Sequence, residues 1–112
     1  MATAGAYYSD AIRALKRALE INPNLADASY NLGFAYLKMG QTADAQRQWE
    51  HTLVLNGDHG RTLYNLGQLY NYTGNKKAAA EKLCKFIGVG VKDFIAEVET
   101  AKKLAATLGG CP

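Results

Sequence analysis

The fold class this sequence predicts is all-α: a right-handed solenoid of helical hairpins, with about six antiparallel helices. Three observations carry the prediction. An eleven-residue stretch returns at an offset of 34, apolar residues recur at helical spacing along most of the chain, and short Gly, Pro and Asn turns cut that pattern into lengths of three to four turns.

The repeat is the strongest of these. Tyr30-Asn31-Leu32-Gly33-Phe34-Ala35-Tyr36-Leu37-Lys38-Met39-Gly40 aligns with Tyr64-Asn65-Leu66-Gly67-Gln68-Leu69-Tyr70-Asn71-Tyr72-Thr73-Gly74, and six of the eleven positions are identical. The same offset links Ala11, Ala45 and Ala79, then Leu15, Trp49 and Leu83, then Ala18, Thr52 and Phe86. The period therefore extends back into the first twenty residues, which hold only the second half of a unit.

Each element follows from its own pattern. Ala11, Ile12, Leu15, Ala18 and Leu19 make an apolar stripe from about Ser9 to Ile21, ended by Asn22-Pro23-Asn24, where Pro cannot continue the helix and Asn24 can cap the next one. A second helix covers about Leu25 to Met39 and closes at Gly40, a residue suited to the left-handed turn. The third runs from Thr42 to Leu55, before the turn Asn56-Gly57-Asp58, and the fourth from Gly60 to Tyr72, with Asp58 or His59 at its start and Gly74 beyond its end. A fifth spans Lys76 to Ile87 and is broken by Gly88-Val89-Gly90. The sixth, from Asp93 to Leu108, sets Phe94, Ile95, Val98, Ala101, Ala105 and Leu108 on one side, and Gly109-Gly110-Cys111-Pro112 reads as a frayed tail. Helices this short, joined by turns this tight, pack against their chain neighbours.

Gly33 and Gly67 explain why the repeated residues are of these types. Glycine inside a helix costs about 1 kcal/mol relative to alanine. The same cost at the same phase twice implies close approach of the paired helix, with Ala45 or Ala79 set against the bare backbone. Leu32 and Leu66 fill the core beside it, and truncating either costs about 2–5 kcal/mol. Tyr36 and Tyr70 pack on the following helix. Trp49 is a hairpin wedge whose indole N–H needs a partner.

Composition sets the outer limits. The 112 residues, 48% hydrophobic and 21% charged, describe one domain spanning 1–112. The net charge of +3 is spread along the chain, with no basic stripe of the kind nucleic acid requires. There is no run of 18 apolar residues to span a membrane, and Met1 to Ala6 lacks the basic and apolar regions of a signal peptide, so the expected location is cytoplasmic. On that reading the acceptor pattern Asn71-Tyr72-Thr73 is a chance match. Cys84 and Cys111 belong to no Cys-x-x-Cys pair; they read as one packed thiol and one free tail thiol, with a disulfide or interchain crosslink as the alternative.

The pattern Leu-Gly-x-x-Tyr-x-x-x-Gly, followed by Ala, a large apolar residue and a small one, resembles the tetratricopeptide repeat family from about Ser9 to Leu108. The resemblance implies a half repeat at 9–21, complete repeats at 26–59 and 60–93, and a capping helix at 93–108. Pro23 stands at the family's closing proline. Thr52 and Phe86 depart from the family's small residue, no proline closes either complete repeat, and the bulk of Phe86 implies a wider or rotated contact between the fifth and sixth helices.

The resemblance also implies a protein–protein interaction module, in which the first helix of each repeat lines a concave groove for a peptide or helix of a partner protein. Removing the core positions leaves a face of Asp27, Tyr30, Phe34, Leu37 and Lys38 on one helix, and of Arg61, Tyr64, Gln68, Asn71 and Tyr72 on the other, to which the resemblance adds Asn31 and Asn65. These are the candidate partner-binding residues: the rings supply rigid contact area, and the polar groups hydrogen-bond a partner backbone. Asn31, Arg61 and Asn65 fall at three positions of the carboxylate clamp some members carry, but Asn65 stands where that clamp needs Arg, which favours a looser hydrogen-bonding role. The half repeat leaves one side of the first helix open, with Tyr7, Tyr8, Ile12 and Leu19 as the exposed patch, unless Met1 to Tyr8 folds over it. Self-association into a homo-oligomer, as a structural subunit joined through that end or through the groove, is the alternative function.

No constellation for catalysis is present. His51 and His59 lack Cys or carboxylate at metal-ligand spacing, Gly88-x-Gly90 follows no strand, and Cys84 has no histidine near it in sequence. No enzyme activity, metal or cofactor is expected.

Overall fold

The computed structural model describes residues 3–89 and 92–112, which form six helices and no strand. They are α1 (Ala4–Ile21), α2 (Ala26–Lys38), α3 (Thr42–Leu55), α4 (Gly60–Tyr72), α5 (Lys76–Val89) and α6 (Ile95–Thr107). The chain divides into two compact units, the first ending at Gly57 and the second beginning at Asp58. Within the first, α1 packs on α2 and α2 on α3; within the second, α4 packs on α5 and α5 on α6.

Three boundaries differ from the sequence expectation. α1 begins at Ala4, so the stretch before Ser9 extends the helix instead of folding back over it; Thr3 caps it, accepting the Ala6 N–H at 3.1 Å. Asn24 does not cap α2. The N-cap is Leu25, and it is Asn22 whose side chain accepts the Asn24 N–H at 3.2 Å, in a turn before the helix. Gly88 and Val89 continue α5, while Gly90 and Val91, the rest of the expected break, lie outside the described residues.

The turns after α2 and α4 share one geometry. Gly40 and Gly74 have φ of 76° and 92°, a region that side chains disfavour. At each, the N–H two residues past the C-cap reaches back to a tyrosine carbonyl: Gln41 to Tyr36 at 2.9 Å and Asn75 to Tyr70 at 2.8 Å. The repeated Tyr and Gly thus fix where each helix stops and the next begins.

In the first unit the core lies between α2 and α3. Leu32, Ala35, Ala45 and Trp49 are buried. The indole N–H donates to the Tyr30 carbonyl at 3.0 Å, which answers its need for a partner inside the hairpin. Buried Thr52 donates to the Gln48 carbonyl at 2.8 Å and lies 3.1 Å from the Ser29 hydroxyl, so the polar groups in this core are paired. Ser29 opposite Thr52 and Gly33 opposite Trp49 set an antiparallel register. A Cβ at Gly33 would meet the Trp49 indole at 2.5 Å, and one at Gly67 would meet Leu83 at 2.8 Å. The close approach is therefore real, but its partner is the large residue one turn beyond Ala45 or Ala79, not the alanine itself. The half-buried Tyr36 ring has the Lys16 ammonium of α1 over it, 5.9 Å away.

The second unit uses the same phase with other fillers. Leu63, Leu66, Ala79, Leu83 and Phe86 are buried, with Val98, Ala101 and Ala105 from α6. The Phe86 ring sits 5.1 Å from that of Tyr64 and 5.8 Å from that of Phe94. The bulk of Phe86 is thus met by aromatic neighbours on both sides. Cys84 and Cys111 are joined in a disulfide, which corrects the reading of two free thiols. The tail after α6 is correspondingly fixed to α5 and not frayed.

Candidate partner-binding faces

Helical phase in α2 turns Leu32, Gly33 and Ala35 inward and leaves Asn31, Phe34 and Lys38 outside. Phe34 is 37% exposed, with the Lys38 ammonium 5.2 Å above its ring, a cation–π contact that keeps the lysine stem along the aromatic face. Against this face lies a groove of about 430 Å³, walled by Tyr7, Tyr8, Ala11, Ala14 and Leu15 of α1 and by Asn31, Phe34 and Ala35 of α2. The Tyr7 and Tyr8 rings meet edge to face at 5.2 Å, and Tyr7 is 66% exposed. The groove is chiefly apolar, with the Asn31 amide as its polar handle, a combination suited to an apolar anchor plus one directed hydrogen bond.

Asp27 and Tyr30 lie apart from that groove. Asp27 is exposed in the first turn of α2, where a carboxylate favours the helix dipole. Tyr30 is half-buried, its ring stacked on Trp49 at 6.1 Å with planes 17° apart. Much of its surface is spent inside the hairpin.

On α4, Arg61 is exposed and Asn65 and Gln68 are half-buried. Tyr64 is half-buried against Phe86, as Tyr30 is against Trp49. Tyr72, 86% exposed at the end of the helix, is the most accessible ring of the second unit. The structure thus brings Asn31, Phe34 and Lys38 together, sets Tyr30 and Tyr64 as half-buried braces, and leaves Tyr72 at a helix end.

Of the groove residues from α1, Tyr7 and Tyr8 were read only as part of an exposed patch, and Ala11, Ala14 and Leu15 were not candidates for partner binding. The spacing of Tyr8, Ala11 and Leu15 at helical intervals, with Thr3 upstream as a cap, is the signal that places them on one helix face. Among the described residues, no group of three or more His, Cys, Asp or Glu side chains is placed to hold a metal ion. His59, at the N-cap of α4, has its Nδ1 2.7 Å from the Thr62 hydroxyl. Among the same residues no helix is long and apolar enough to cross a membrane.

A family model described as TPR repeat matches residues 7–40, and one described as tetratricopeptide repeat matches residues 30–85, half of the chain. Among solved structures the chain is similar to the crystal structure of MamA, with 25% sequence identity and a TM-score of 0.70 over 90% of this chain. It spans 66% of the length of that MamA chain. No curated protein sequence matches it. The chain belongs to the tetratricopeptide repeat family, an all-α scaffold of helical hairpins that generally mediates protein–protein interaction and is not a catalytic fold.

Proposed function

We propose that the chain is an adaptor or scaffold module that holds a peptide or helix of a partner protein in the groove between α1 and the exposed face of α2. The observation that carries this reading is the groove beside Phe34: an open apolar recess with aromatic walls and one amide at its edge. Aromatic side chains anchor interfaces because they bury large area at little entropic cost, and Asn31 and Lys38 stand ready for a partner's backbone or carboxylates.

Selection of peptides from a displayed library, followed by titration against the purified chain, tests this reading. Phe34→Ala is expected to weaken the selected peptides by about tenfold or more, in line with loss of an interface anchor, with the melting point nearly kept. Peptides that bind Phe34→Ala as well as the parent would place the binding surface elsewhere.

Exposed Tyr7 and Ile21, at 66% and 74%, favour a second reading in which α1 mediates self-association. Sedimentation across a concentration series separates the two. A monomer that gains mass only with peptide supports the first, and a concentration-dependent dimer supports the second.

A further inference from the structure

The fully buried side chains of α6 are Val98, Ala101 and Ala105, two of which offer a single methyl group each, while Leu104 and Leu108 are half-buried. Beyond its end the chain turns through Gly109 and Gly110, at φ of 109° and 79°, and the Gly110 N–H bonds the Ala105 carbonyl at 2.8 Å. That turn carries Cys111 back to α5, where it bonds Cys84. A recess of about 610 Å³ lies under the bridge, between Lys76, Ala80 and Glu81 of α5 and Leu108 and Pro112 of the tail. Cys111 is exposed and Cys84 half-buried, so a thiolate in solution can reach the bond.

We propose that the Cys84–Cys111 pair is a reversible redox clasp that sets whether α6 stays docked on α5. Oxidised, it closes a loop of sequence separation 27 and holds the helix down. Reduced, it releases the covalent hold between α5 and the turn after α6, and the apolar stripe of Val98, Ala101 and Ala105 becomes available with the face of α5 beneath it.

The chemistry is thiol–disulfide exchange with a disulfide of a small thiol or of another protein as oxidant. The Cys111 thiolate attacks one sulfur of that disulfide, forming a mixed disulfide and expelling one thiolate. The Cys84 thiolate then attacks the Cys111 sulfur and expels the second. Two cysteine thiols become one disulfide, the oxidant becomes two thiols, and the two protons end on the released thiolates. Excess thiol runs the sequence backwards.

The chain equilibrated in glutathione buffers of graded ratio, alkylated and weighed, reports the bond; hydrogen exchange across 95–107 reports the helix. The bond is expected to open in these buffers without denaturant. Loss of the loop constraint should speed exchange in α6 on the order of a hundredfold, with α4 little changed. Cys111→Ser should exchange like the reduced chain under both conditions, and reduced, alkylated parent gives the same comparison where that variant fails to fold. Three results overturn the proposal: thiols that stay free in excess oxidised glutathione, a bond that yields only in denaturant, or equal α6 exchange in the two states.

Discussion

A single methyl group added at Gly33 lands 2.5 Å from Cδ1 and Nε1 of Trp49, well inside contact distance. The indole has little room to retreat: it is 1% exposed, and its N–H is bonded to the Tyr30 carbonyl at 3.0 Å. Overpacking of this kind costs about 1–3 kcal/mol. If the ring slides, the buried N–H loses its acceptor, at a further cost of about 1–3 kcal/mol. Alanine's helix preference over glycine returns about 1 kcal/mol. Gly33→Ala is therefore expected to destabilise the chain by roughly 1–5 kcal/mol, centred near 3. Gly88→Ala is the control, since that glycine is helical with nothing within 4 Å of an added Cβ, and it should gain up to about 1 kcal/mol. Trp49 is the one tryptophan in the sequence, so urea unfolding followed by its fluorescence reads this hairpin directly. A Gly33→Ala chain as stable as its parent, with unshifted emission, would refute the close-approach reasoning.

Phe86→Ala removes a fully buried ring that touches those of Tyr64 and Phe94, and should cost about 3–5 kcal/mol in thermal unfolding followed by circular dichroism; an unchanged midpoint would mean the site collapses without loss. Salt should matter little. The ion pairs Arg13–Asp10, Arg17–Glu20, Arg47–Asp44, Lys85–Asp58 and Lys102–Glu99 all involve exposed side chains, so raising sodium chloride to about 1 M should shift stability by less than about 0.5 kcal/mol, and a large drop would show that charge pairing contributes to the fold.

The bounds of α3 and α4 were legible because glycine and polar turns bracket them on both sides. α1 was read too short, since Ala4 to Tyr8 shows no clear apolar period of its own and only Thr3 marks the start. The glycine contact was located at the right phase but given the wrong neighbour. A helical side chain covers the turn N-terminal to its own Cα, so Trp49 and Leu83, one turn past the alanines, are the groups that reach the bare backbone. Phase likewise separated Phe34 and Lys38 from the core. It could not show which way the Tyr30 and Tyr64 rings would lean, because that depends on aromatic partners in another helix. The disulfide was the least legible feature, since two cysteines 27 positions apart carry no local pattern until the turn at Gly109 and Gly110 sets their distance.

The two hairpins show what the repeat conserves within this chain and what it leaves free. Gly33 and Gly67 meet a large residue at the same phase, yet the first hairpin places an indole there and the second a leucine. Three residues further on the sizes reverse: Thr52 follows the tryptophan, and Phe86 follows the leucine. Bulk removed at one position returns at the next inward position, as dense packing requires. The polar consequence is confined to one copy, where Thr52 needs a partner and Ser29 and the Gln48 carbonyl provide it, while Leu63 and Phe86 at the matching positions need none. The tyrosine at the shared phase follows the aromatic ring wherever it sits, stacking on Trp49 as Tyr30 and tilting onto Phe86 as Tyr64. One backbone geometry thus accepts two side-chain solutions, and the choice between them decides how much of each tyrosine remains available to a partner.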